Sequence, residues 1–161
     1  MKLIVVLENI RSVYNVGSIF RTMEGFGHGD VILLGITPTP LDKRGLKRSD
    51  FFKTALGAED RINWKFVATN EELRTLYPEA KVWCLERKDE IDPIWETLTT
   101  EKNSDETVLL IVGSEIDGVS DYWTSQADKI LTIPMIGEKE SFNVTIAFGI
   151  ALYELVRGSK Q

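Results

Sequence analysis

Six short apolar runs rich in β-branched residues recur along the chain, and they constrain its fold more than any other feature. They are LIVVLE (3–8), DVILLG (30–35), INWKFVA (62–68, the weakest), KVWCLE (81–86), TVLLIVG (107–113) and KILTIP (129–134). A strand with one face in water alternates apolar and polar residues, whereas a continuous apolar run belongs to a strand covered on both faces. Helical patterns fall between the runs, so the sequence predicts an α/β fold of doubly wound type: a parallel sheet flanked by helices on both faces. The 161 residues contain no internal repeat, low-complexity segment or linker, and a single domain over 1–161 is expected. The proline-rich stretch TPTPLDKRG reads as a long functional loop.

Two helical segments carry unusual patterns. In NIRSVYNVGSIFRTMEGFG (9–27), Val16, Ile19, Phe20 and Met23 form one buried stripe, while Ser18, Arg21 and Thr22 point the other way. Asn15 is placed to cap this helix, and Gly17 with Ser18 leaves its first turn open to a ligand. In the last helix Val144, Ala147, Phe148, Ala151, Leu152, Leu155 and Val156 make a stripe that Ile146, Ile150 and Tyr153 extend nearly all round. Such a helix must be covered on most sides, by the core or by a second copy of the chain.

Several chemistries lack the residues they need. Cys84 and His28 are the only cysteine and histidine, which excludes an intrachain disulfide and leaves a zinc site or a serine–histidine triad almost nothing to draw on. His28 itself reads as a surface-turn residue between two glycines. No run reaches the roughly 20 apolar residues of a membrane span, and the first residues lack the pattern of a signal peptide, so a cytoplasmic location is expected. GSEIDGVS (113–120) lacks the lysine of a Walker A loop, and GFGHGD leads into a strand, unlike a Rossmann fingerprint. Glu115 and Asp117 are a weak signal for a metal site, being two carboxylates without an evident third ligand, and no metal is expected.

The formal charge of −6 disguises a polarised chain. Residues 1–65 hold ten basic and seven acidic side chains, against nine and eighteen in the remainder. Within LDKRGLKRSDFFK, Lys43, Arg44, Lys47, Arg48 and Lys53 outnumber Asp42 and Asp50, with Phe51 and Phe52 among them. The cluster reads either as a phosphate-binding patch with stacking aromatics or as a solvated loop on an acidic protein. GSEIDGVS follows a buried strand, where α/β folds place ligands, and its glycines permit a tight turn that exposes Glu115. In IPMIGEKESFNVTIAFG (133–149), Ser141 and Asn143 flank a helix start; a cap accounts for one of them.

Taken in order, NVGSIFR, GSEIDGV and IPMIGEKESFNV resemble the three motifs of the SpoU/TrmH family of the SPOUT superfamily, and KTALGAED (53–60) is similar to the family's stretch before its third strand. The resemblance covers essentially the whole chain. It implies a methyl transfer from S-adenosylmethionine to a ribose 2′-hydroxyl of tRNA or rRNA, with S-adenosylhomocysteine as product. It also implies a deep trefoil knot at the carboxyl end, an exception to the rule against knotted chains, and a homodimer through the C-terminal helix. Carried over by motif, Asn15 and Arg21 belong to the first, Glu115 to the second, and Ser141 and Asn143 to the third, with Arg21 as the catalytic residue. Leu85, Gly113, Ile133 and Phe142 match cofactor-contacting positions, Phe142 standing where leucine is common. Set beside the family, the chain is expected to lack an RNA-binding extension before its first strand, so target selection falls to this domain and its partner copy; the basic cluster of Lys43, Arg44, Lys47, Arg48 and Lys53 is where RNA contact is expected.

Sulfonium methyl transfer is an in-line displacement that needs no metal, and alignment supplies most of the catalysis. The ribose hydroxyl needs a base or an electrostatic assist: Arg21 acts as base only if perturbed, for instance by a substrate phosphate, and otherwise binds that phosphate and stabilises developing oxyanion charge, and both roles stay open. Two rival readings are a non-catalytic RNA-binding protein of the same fold and a small-molecule enzyme of flavodoxin-like architecture. Intact motif residues weigh against the former, and the basic loop with missing phosphate fingerprints against the latter.

Overall fold

The computed structural model describes residues 1–27, 29–88, 91–98 and 106–157; His28 lies outside them. All six predicted strands form: β1 (Lys2–Glu8), β2 (Asp30–Leu34), β3 (Asn63–Val67), β4 (Lys81–Leu85), β5 (Thr107–Val112) and β6 (Lys129–Leu131). They make one parallel sheet in the order β3-β2-β1-β5-β4-β6. The most apolar runs occupy its centre, where Val5, Val6, Leu7, Leu109, Leu110 and Ile111 are fully buried. INWKFVA gave the weakest signal because β3 is an edge strand, with Asn63, Lys65 and Phe66 exposed.

Residues of alternating parity enter two cores. Leu3, Val5 and Leu7 pack with helices α1 (Val13–Gly25), α2 (Ser49–Ala55), α4 (Ile94–Thr97) and α6 (Val144–Val156). Ile4 and Val6 face the opposite core with α3 (Asn70–Leu76) and α5 (Asp121–Thr124), anchored by Leu73 and Trp123. No helix of the described residues is long and apolar enough to cross a membrane.

The stripe of α1 is buried as its spacing requires: Val16, Ile19, Phe20 and Met23 are each 0% exposed. Two expectations for this helix are corrected. Ser12, not Asn15, is the N-cap, its hydroxyl accepting the Asn15 N–H at 3.3 Å. A cap must precede the first helical residue, and Asn15 already lies inside the first turn. Gly17 does not open the helix to a ligand; a Cβ there would overlap the Thr54 hydroxyl and crowd the Phe51 carbonyl, so this glycine lets α2 approach α1.

In α6, Phe148, Ala151, Leu152 and Leu155 are buried, but Ile146 and Tyr153 are each 54% exposed. With the half-buried Gly149 and Ile150 they form a stripe at i, i+3, i+4, i+7 that the described residues cover only in part.

Candidate active site

The carboxyl ends of β4, β5 and β6 and the first turn of α6 enclose a pocket of about 520 Å³. It lies beside the point where the sheet order reverses, between β1 and β5, the place where open α/β sheets hold ligands. Four sequence-distant positions expected at a cofactor, Leu85, Gly113, Ile133 and Phe142, all line it, as do Glu115, Ser141 and Asn143.

The wall formed by 113–120 is a tight turn closed by Ser114 N–H to Gly118 O (3.0 Å) and Gly118 N–H to Ser114 O (3.1 Å). The Ser114 hydroxyl accepts the Asp117 N–H at 2.9 Å. Two glycines are obligatory for different reasons. A Cβ on Gly113 would overlap the Gly118 carbonyl, while Gly118 has φ +69° and its Cα faces the Glu86 carboxylate.

Glu115 leaves this turn and joins it to the first motif. Its carboxylate accepts hydrogen bonds from Asn15 Nδ2 (2.7 Å) and from the N–H groups of Arg11 (3.2 Å) and Ser12 (3.4 Å). Burial pushes the Glu115 carboxyl upward, but the bonds from Asn15 and from backbone N–H groups outweigh it and hold the group below its ordinary value. Glu115 is therefore a charged clasp across the switch point, and Asn15 is its side-chain donor.

Asn143 is the N-cap of α6; its Oδ1 accepts from Thr145 N–H (2.9 Å) and Thr145 Oγ1 (2.6 Å). Its amide nitrogen has no hydrogen-bond partner among the described residues. Ser141 is exposed at the pocket wall, and its hydroxyl has no hydrogen-bond partner among the described residues.

Arg21 does not line the pocket. It is exposed and makes no hydrogen bond or ion pair among the described residues. Helix geometry explains why Asn15 reaches the site and Arg21 does not: six residues separate them by about 9 Å along the axis and place them on different faces. Arg21 shares a face instead with Tyr14, which is 57% exposed.

Two site residues went unnoticed in the sequence. Glu8, 1% exposed, accepts the N–H (2.9 Å) and hydroxyl (2.6 Å) of Ser120. Glu86 accepts the N–H groups of Val119 (2.8 Å) and Arg87 (3.0 Å), while its carbonyl accepts the Thr132 hydroxyl (2.9 Å). The loop 113–120 is thus pinned by carboxylates from the ends of both β1 and β4. The signal was available: LIVVLE and KVWCLE each end a buried strand in Leu-Glu, at the sheet edge where ligands bind. Between these groups the Cys84 thiol is buried and pushed up to about 12, by burial first and then by Glu8 and Glu86, which leaves it an inert core residue.

The basic segment is only partly free. Lys47 is bonded to Asp60 (2.6 and 2.7 Å) and Arg48 to Asp50 (2.8 and 3.1 Å), whereas Lys43, Arg44 and Lys53 are exposed with no ion pair among the described residues. Phe51 is buried edge-on against Phe20, and Phe52 is 50% exposed.

The sequence pattern of the SpoU rRNA Methylase family matches residues 2–153. The chain belongs to this family. Among curated relatives, a 23S rRNA (guanosine-2'-O-)-methyltransferase RlmB of Xanthomonas axonopodis pv. citri is 31% identical over 157 residues, covering 96% of this chain and 58% of the relative. Among solved structures, the AdoMet-bound rRNA methyltransferase from Sinorhizobium meliloti superposes with a TM-score of 0.82 at 25% identity, over 99% of this chain and 57% of that one. The TrmH/SpoU tRNA modifying enzyme of A. aeolicus gives 0.75 at 25% identity, over 97% and 74%. This SpoU-family chain thus spans somewhat more than half the length of the curated relatives it matches.

Proposed function

We propose that this SpoU-family chain is an RNA methyltransferase that moves a methyl group from S-adenosylmethionine to a ribose 2′-hydroxyl of tRNA or rRNA in the cytoplasm, working as a homodimer. The observation that carries this reading is the convergence of Leu85, Gly113, Ile133 and Phe142, from three separate stretches, on one pocket clasped to the first motif through Asn15 and Glu115.

The pocket fits the cofactor. Its volume of about 520 Å³ suits a nucleoside-sized ligand. Apolar side chains at Leu85, Val112, Leu131 and Ile133 offer a slot for a base, and carboxylates around it match a cation. When bound, S-adenosylmethionine supplies an electrophilic methyl that needs no metal; among the described residues no group of three or more His, Cys, Asp or Glu stands ready to hold one.

The chain's own residues then align the acceptor. Glu115 and Asn15 fix the pocket wall against the first helix, and Gly113 and Gly118 shape the turn that receives the donor. Ser141 and Asn143, whose amide nitrogen has no partner among the described residues, line the pocket and orient the ribose hydroxyl. Arg21 acts at the dimer face: its guanidinium binds an RNA phosphate or stabilises charge developing on the acceptor oxygen, where a protonated arginine is effective. A second copy covering the Ile146, Ile150 and Tyr153 stripe next to α1 closes the site. The same reading threads the carboxyl-terminal segment as a deep trefoil knot.

Incubation with methyl-labelled S-adenosylmethionine and total RNA tests the proposal, with mass spectrometry locating the label on ribose. Arg21→Ala is expected to abolish transfer and leave cofactor binding nearly intact. RNA binding without any label would move the reading to a non-catalytic RNA-binding protein.

A further inference from the structure

Four acidic residues border the pocket, Glu86, Glu115, Asp117 and Glu140, against one basic residue among the described lining, Arg87. Arg87 donates from Nη1 to the Glu140 carbonyl at 2.8 Å, tying the two sides of the mouth together. Glu115 is spoken for by Asn15 and two backbone N–H groups of the first motif. Glu86 differs from it in facing no side-chain donor among the described residues, where its carboxylate accepts only the backbone N–H groups of Arg87 (3.0 Å) and Val119 (2.8 Å). Those bonds satisfy its geometry without a compensating full charge. Partly buried at the end of β4 and set against the Gly118 backbone, it presents a negative charge to whatever fills the pocket.

We propose that Glu86 makes the pocket selective for ligand charge, favouring a cationic sulfonium over the matching neutral thioether. The inference rests on the reading of the pocket as the S-adenosylmethionine site. In the transfer, the methyl–sulfur bond breaks with its electron pair returning to sulfur, a methyl–oxygen bond forms on the ribose, and the hydroxyl proton passes to water. The ligand in the pocket loses one positive charge, and with it the attraction of Glu86. Release of S-adenosylhomocysteine is thereby coupled to completion of the chemistry. A unit charge about 6 Å away, at an effective dielectric of roughly 20, is enough for a tenfold difference in affinity even after partial screening.

The test is calorimetric titration of the full chain with S-adenosylmethionine and with S-adenosylhomocysteine, separately and without RNA. Glu86→Gln keeps an acceptor for the Val119 N–H and removes the charge. It is expected to weaken S-adenosylmethionine about tenfold and S-adenosylhomocysteine less than about threefold, while Glu86→Asp retains most of the discrimination. In the wild type the preference for the charged ligand, relative to the neutral one, should shrink as salt rises to about 0.5 M. Equal losses for both ligands in Glu86→Gln would reduce the residue to a loop tie and overturn the proposal. If that variant does not fold, a ratio of affinities indifferent to salt in the wild type overturns it equally. Failure of both ligands to bind the wild type would instead remove the cofactor reading itself, and this inference with it.

Discussion

At Gly113 the backbone of Gly118 occupies the space in which any other residue would put its Cβ. Gly113→Ala must therefore open the turn, and we expect a loss of about 1–3 kcal/mol in stability together with at least tenfold weaker S-adenosylmethionine binding, measurable by thermal unfolding and calorimetry. Glu115 gives a pH-dependent counterpart. Its folded-state carboxyl titrates below the ordinary value, so the stability it contributes is fully present above that value and is lost as pH falls through the folded one. The difference in melting temperature between wild type and Glu115→Gln should be constant from pH 7 to about 5 and shrink below about 4.5. A difference that persisted unchanged into acid would mean that charge is irrelevant to the clasp.

Helices and loops, one scale up, decide which parts of a motif reach the pocket. Ser12 starts α1 three residues before Asn15, and this offset turns the Asn15 amide towards Glu115 while Arg21 emerges on another face. The segment before and within α2 shows a similar sorting. Lys47 and Arg48 are already bonded to Asp60 and Asp50, so a phosphate must compete with a carboxylate for them, whereas Lys43, Arg44 and Lys53 have no such rival among the described residues. In filter-binding assays, Lys43→Ala, Arg44→Ala and Lys53→Ala should each reduce the slope of log affinity against log salt by roughly 0.7–0.9. Lys47→Ala should reduce it by less. Equal slopes across all four variants would show that the ion pairs do not hold in the RNA complex.

For the whole molecule, the exposed residues of the α6 stripe and the solvent-facing Arg21 on α1 pose one problem, which the proposed second copy would solve for both. Ile146→Asp places a charge in that stripe and is expected to shift the protein to monomer in sedimentation experiments. Methyl transfer should fall with it, although each chain keeps its own pocket. If Arg21 serves the pocket of its partner, mixed dimers of Arg21→Ala with a variant unable to bind S-adenosylmethionine, such as Gly113→Ala, should recover part of the wild-type activity. An intact pocket then meets an intact arginine on the other chain. Mixtures as inactive as their parents would place Arg21 in service of its own chain.

The apolar runs determined by themselves that this chain makes a covered parallel sheet, because a strand without alternation has no face to give to water. The stripe of α1 was equally legible from local geometry, as was a helix start flanked by Ser141 and Asn143; which of the two caps it, Asn143, only the structure decided. Tertiary structure alone decided that Leu85, Gly113, Ile133 and Phe142 share a pocket, that Glu8 and Glu86 tie its wall, and that Gly17 serves helix packing. The ordered motifs suggested the first of these only through resemblance. Hydrogen bonds between Glu115 and Asn15, or Glu8 and Ser120, join residues about a hundred positions apart. Periodicity within a window of a few turns carries no record of such partners; they meet only because the strand order brings β1 and β5 side by side.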